Sequence, residues 1–404
     1  VVNRIENVQF RGIFDSRRNV TVEAEIRFAD GATGVASAPI AIAPGRRERA
    51  RADVTRLGAL DEAPAFAELR DRITGTSAGT QRDFDEFLEE FSAVGANVLV
   101  ALSVAFARAR CAALGTPLSA YIAADAGISP RLPVPLVNVF SGGIHGGDPF
   151  MPFQEIMVAP MSGSLHDRLR VALAVYEELE AQARLHHGGC GYSSAGGLRV
   201  RGMVFEDALA EITAVIDRRF SRDDVGIGID VAAEHLRRGT GRRGTEYAIG
   251  DELLTERQLG ELLTGLVAKH PIRYLEDPYD PADVASWKDF AGQRPDGLYL
   301  CGDDLFVTDE RRMTGELANC TVIKLTQCGT LTRGIRAALA ARAEGMALCV
   351  SHRSGETEDC GVCDLAVGLA SEFIKVGGPS ADRMAKYNQL IRLEAGLDGV
   401  RRAP

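Results

Sequence analysis

Beyond residue 135 this chain repeats one grammar: short apolar runs alternate with longer amphipathic segments, and most runs end in a charged or polar side chain. The runs are VGIGID (225–230), IRYLED (272–277), LYLCGDD (298–304), TVIKL (321–325), ALCVSH (347–352) and FIKVGG (373–378). Between them ERQLGELLTGLVAKH, TRGIRAALAARAEG and DLAVGLASE place apolar residues at helical spacing. Repeated strand–helix units of this size predict a parallel sheet covered by helices. Six or more in one stretch suit an α/β fold of the (β/α)8-barrel type.

The first third of the chain reads differently. Residues 3–10 and 20–28 alternate like strands around a DSRRN turn, and ADGATGVASAPI continues as a third strand. Residues 81–126 read as helices, giving a strand-then-helix α+β unit. The proline-rich joint GISPRLPVP (127–135) marks the expected boundary, with a capping domain over 1–126 and a barrel domain over 127–404.

Bulk properties narrow the function. The 404-residue chain has a net charge of −10, which argues against nucleic acid as a partner. Neither an uninterrupted apolar run of membrane-spanning length nor a signal-peptide pattern is expected, so the cytoplasm, and no membrane, is the anticipated setting. Cys360 and Cys363 form a CxxC with no second pair or histidine to complete a metal set, so buried thiols are expected. Only five of the 46 basic residues are lysine: Lys269, Lys288, Lys324, Lys375 and Lys386. Where arginine is used almost everywhere, a lysine marks a place where a proton can be lost.

The strand ends carry the chemistry. Asp230, Glu276 and Asp303 close three runs, Lys324 lies in the next, and His352, Arg353 and Ser354 follow the fifth. In a barrel these ends converge on one mouth. Three carboxylates there resist ionising together without a cation, and hard oxygen donors suit Mg2+. The competing reading is that each acid caps the helix after it. A lysine near bound cations and away from water would fall from about 10.4 toward about 7–8 and could take a proton from carbon beside a carboxylate.

The stretches LVNVFSGGIHGGDPFMPFQEIMVAP, YLEDPYD, GDDLFVT, IKLTQCGTLT, SHRSGETEDC and AKYNQLIRLE, in this order, resemble the enolase family, and DSRRNVTVE resembles its opening hairpin. The resemblance covers nearly the whole chain. It implies a lysine base working with Mg2+. By resemblance Asp230, Glu276 and Asp303 would hold the metal, Lys324 would be the base, and Lys386 would steer the substrate carboxylate. Arg353 and Ser354, beside His352, would hold a phosphate, His145 would close over the substrate, and Gln154 and Glu155 would line the pocket. A small phosphorylated carboxylate is the implied substrate, and a homodimer the implied assembly.

Several positions depart from the family, among them Arg18 and Val20 in the opening hairpin, and two bear on the chemistry. Ala195, in GYSSAGG, stands where the family has a glutamate that helps the C3 hydroxyl leave, and Ala43 stands where a loop serine would bind a second metal. Arg46, Arg47, Arg49, Arg51, Arg237, Arg238, Arg242 and Arg243 crowd two loops expected to cover the mouth. These changes suggest enolate chemistry without ordinary dehydration, with room for a nucleotide-activated second substrate.

Overall fold

The computed structural model describes residues 3–41, 45–60, 63–146, 150–241 and 244–402. Three antiparallel strands, β1 (Asn3–Phe14), β2 (Val20–Phe28) and β3 (Thr33–Ser37), open the chain in the order β3-β2-β1. The turn between β1 and β2 is set by Asp15, whose Oδ1 accepts from the Arg17 and Asn19 amides. Val22, Ala24, Ile26 and Phe28 alternate along β2 and are all buried. The helix Ala96–Leu114 packs against β2 and β3. Its backbone comes so near that a Cβ on Gly34 would lie 2.1 Å from the Ala105 carbonyl oxygen, so only glycine fits. By length and composition this helix could cross a membrane, but most of it is buried inside the fold.

The barrel closes from eight strands. They are β4 (Val134–Ser141), β5 (Glu155–Pro160), β6 (Val225–Asp230), β7 (Ile272–Glu276), β8 (Tyr299–Gly302), β9 (Cys320–Ile323), β10 (Ala347–Ser351) and β11 (Phe373–Gly377). They pair in sequence order, and β11 pairs with β4 to close the ring. All six anticipated runs are strands; β4 and β5 were not marked by the repeating pattern. The expectation of an all-parallel sheet is corrected here, because β5 runs antiparallel to both β4 and β6. A short connection without a full crossover helix joins β4 to β5, and such a link forces an antiparallel pair. Two helices, Leu165–His186 and Phe205–Arg219, then carry the chain out and back, so β6 starts at the end where β5 finished.

The N-terminal sheet docks on the loop after β10. The Ser16 amide donates to the Glu356 carbonyl at 2.6 Å, and Ile40 and Gly355 exchange backbone bonds at 2.7 and 2.9 Å. Arg108 grips Asp359 with both guanidinium ends, at 2.6 and 2.7 Å. On the other side Asp85 and Ser103 accept from the Thr332 and Leu331 amides, capping the helix Leu331–Ala343. Much of the SHRSGETED stretch therefore holds the two parts of the chain together.

Candidate active site

The parallel strands deliver their last residues to one mouth, and the antiparallel β5 delivers its first, Glu155. Asp230 ends β6 and Glu276 ends β7; the register places them opposite each other, with Glu155 opposite Asp230 on the other side. The next residue, Asp277, takes a left-handed conformation (φ 42°) and turns out of the strand. Its two oxygens each accept an amide, from Asp303 and from Asp304, at 2.9 Å. The adjacent acids of YLEDP therefore do different work: Glu276 faces the lumen, and Asp277 fixes the neighbouring strand end that carries Asp303.

Two lysines answer the acids, Lys375 buried and Lys324 half-buried. Lys375 Nζ lies 3.0 Å from Asp230 Oδ2, 3.0 and 2.9 Å from the two Glu276 oxygens, and 3.3 Å from Glu155. Lys324 Nζ donates to Asp303 Oδ2, and Gln327 Nε2 holds Asp303 Oδ1 at 2.9 Å. Gln327 is fixed in turn by the Thr308 hydroxyl, which also accepts from the Lys324 amide. Gln154 Nε2 reaches Asp230 Oδ2 at 3.1 Å.

The electrostatics follow from burial. Burial and the charge on Asp230 push Glu276 up to about 8, although Lys375 pulls the other way. Burial alone would raise Asp303, but the Lys324 ammonium outweighs it and the carboxyl is held below its ordinary value. The fall in the proton affinity of Lys324 was expected beside a bound cation; among the carboxylates themselves the shift is upward. Burial is the largest influence and lowers it, but the surrounding acids, Asp303 first and then Glu276, together more than reverse that, so Lys324 stands above the ordinary lysine value. Lys375 is also held up: burial lowers it, and Asp230, Glu276 and Glu155 more than reverse that.

The anion grip lies across the mouth. His352, Arg353 and Ser354 line the same cavity as Asp230, Asp303 and Lys324. Arg353 Nη2 meets both oxygens of Glu48 at 2.8 Å, with both side chains only 6% exposed, while its Nη1 has no hydrogen-bond partner among the described residues. Arg383, fully buried, donates to the carbonyls of Arg353, Ser354 and Ser194 and so ties this loop to the 193–197 turn.

A family model described as the enolase N-terminal domain matches residues 5–122, and one described as the enolase C-terminal TIM barrel domain matches residues 129–401. The chain belongs to the enolase family. Against that family's pattern one assignment is corrected. Lys386 does not reach the carboxylates of the mouth; its Nζ donates to the Thr357 carbonyl and pairs with Glu356 Oε2 at 3.2 Å. The other Glu356 oxygen, Oε1, accepts the Arg353 amide at 2.9 Å, so Lys386 braces the anion-binding loop from behind. The lysine among the acids is Lys375. Its signal was present in the sequence: FIKVGG was marked as a strand, and Lys375 is one of five lysines.

Other enolase-family positions divide in the same way. Ala195 is fully buried, and its carbonyl accepts the Gly378 amide at 2.7 Å. The nearby Ser193 hydroxyl bonds Ser141 Oγ at 2.8 Å and accepts the Ala195 and Gly197 amides. His145 lies in the helical turn Gly143–Gly146, but its side chain falls outside the described residues, as do Ala43, Arg242 and Arg243. Glu48, His235 and Lys375 line the mouth and were not foreseen. Cys360 caps the helix Gly361–Gly368, and both CxxC thiols are free.

The residues fit a divalent cation. Four carboxylates crowd two ammonium groups, so the floor is short of positive charge. A second group, Asp277, Asp303 and Asp304, brings carboxylate oxygens within 4.8 Å of one another.

Proposed function

We propose that this enolase-family protein is a Mg2+-dependent enzyme that forms an enolate from a phosphorylated carboxylate, with Asp230, Glu276 and Asp303 as metal ligands. The observation that carries it is the pairing of these acids with Lys375 and Lys324 at one barrel mouth. The bound metal would supply Lewis-acid stabilisation of charge on the substrate carboxylate. Lys324 takes the proton from the carbon beside that carboxylate. Asp303 holds the Lys324 ammonium; with Asp303 serving as a metal ligand, Lys324 would release that proton to solvent and the free amine would act as the base. Lys375 stays charged and faces the developing negative charge. Arg353 Nη1 and Ser354 hold the phosphate.

The specific reaction we favour is that of a carboxyphosphonoenolpyruvate synthase, which makes an enolpyruvyl product with a nucleotide-activated partner. Ala195 supports it, because a methyl group cannot help a hydroxyl leave. Arg46, Arg49 and Arg237 are engaged with Glu234, Glu89 and Asp280, so an anionic second substrate has to displace these pairs to use them. The second reading is dehydration of 2-phosphoglycerate, favoured by the intact floor. A coupled assay separates them. Little phosphoenolpyruvate is expected from 2-phosphoglycerate, and Ala195→Glu alone should not restore rapid turnover. Fast dehydration by the parent protein would refute the first reading.

A further inference from the structure

Beneath the carboxylates lies a group that the proposed chemistry does not use. Tyr274 and Glu276 are two residues apart on β7, so both side chains point into the barrel lumen. Tyr274 is fully buried. Its hydroxyl lies 2.7 Å from Glu276 Oε2 and 3.2 Å from Cys301 Sγ. A phenol has one proton to give, and a carboxylate oxygen is a far stronger acceptor than a thiol sulfur. The hydroxyl therefore donates to Glu276.

The surroundings hold the ring. Phe373 meets it edge-on with centroids 5.4 Å apart, and Leu136, Met157, Cys301 and Cys349 pack in the same cluster. Tyr274 does not line the mouth, so it cannot touch a substrate there. Glu276 Oε2 is tied from below by Tyr274 and meets Lys375, whereas among the described residues Oε1 bonds only Lys375. Tyr274 thus fixes the rotation of a carboxylate that would otherwise be steered by the ammonium alone.

We propose that Tyr274 is a positioning residue for the metal: its hydroxyl orients Glu276 from the barrel floor so that the carboxylate is presented to a divalent cation. This rests on the reading of Glu276 as a metal ligand. Removing an outer partner of a ligand typically weakens metal binding by about 10–100-fold. Tyr274→Phe keeps the ring and its packing and removes only the donor.

The test is calorimetric titration of the whole protein with MgCl2, followed by inorganic phosphate at saturating MgCl2. For Tyr274→Phe the Mg2+ Kd should rise about tenfold, while phosphate affinity and thermal midpoint stay close to the parent's. Glu276→Gln should weaken Mg2+ more, and Cys301→Ala, which leaves the Tyr274–Glu276 bond intact, should change it less than twofold. If Glu276→Gln weakens Mg2+ and Tyr274→Phe does not, the inference fails and the metal reading stands. If neither matters, both fail. If Cys301→Ala weakens Mg2+ as much as Tyr274→Phe, packing rather than the hydroxyl is responsible, and the inference also fails.

Discussion

The floor and the rim of the barrel mouth use the same kinds of ion pair in different surroundings. On the floor, Lys375 is 4% exposed and meets acids from three strands. On the rim, Arg46 is 63% exposed where it reaches Glu234. Out of water, each floor charge must be matched or its proton equilibrium moves, which is why Glu276 shifts although a lysine touches it. On the rim, water and salt screen the pairs, and they mainly pin the 45–51 segment over the mouth. Glu48 is the exception, a rim residue whose carboxylate reaches the buried Arg353. Catalytic capacity sits where charges are dry and mutually dependent, whereas the rim tolerates change.

The sharpest test of that contrast is at Lys324. Lys324→Ala should slow exchange of the substrate C2 proton into D2O by about 10²–10⁴-fold, read by NMR on 2-phosphoglycerate. Exchange at the parent rate would remove the base from the floor.

A half-buried pair outside the mouth shows whether partial loss of water alone gives large effects. Asp359→Asn should lower stability to denaturant by about 2 kcal/mol at pH 7, since it breaks a two-pronged, half-buried pair with Arg108. Burial opposes ionisation of Asp359, but Arg108 wins and holds it below its ordinary value. Its contribution is then complete above the unfolded carboxyl pKa of about 3.9 and lost as pH falls through the lower folded value. The gap between parent and variant should therefore close in strong acid. A gap that persists unchanged there would mean packing, not charge, was lost.

Glu48 tests the boundary between the regions. Glu48→Gln removes the anion now on Arg353 and should tighten inorganic phosphate about tenfold, roughly 1.4 kcal/mol, by titration. Weaker binding would show instead that Glu48 holds Arg353 in its useful orientation. The smallest change is expected for Arg46→Ala, which should cost under about 1 kcal/mol of stability and leave phosphate affinity within about twofold.

Much of this was legible beforehand. Asp230, Glu276, Asp303 and Lys324 could be read because strand ends are local features, and a barrel carries them to one face. The hairpin and the helices of 81–126 were legible for the same reason. β5 was missed because its direction depends on what its connections do in space. Lys386 was misplaced because its motif does not state which way a helix faces. In the fold, the helix Met384–Arg402 turns this lysine toward Glu356 and Thr357.

What the sequence determined by itself was six of the eight barrel strands, the acids that end three of them, and the change from glutamate to alanine at position 195. Only the tertiary structure decided that Lys375 sits among the acids, that Glu48 crosses from the N-terminal domain to Arg353, and that Tyr274 holds Glu276 from below. The reason is physical. Alternation along a strand is a property of neighbours in the chain, whereas proton affinity and ion pairing depend on which distant groups share a space that water has left.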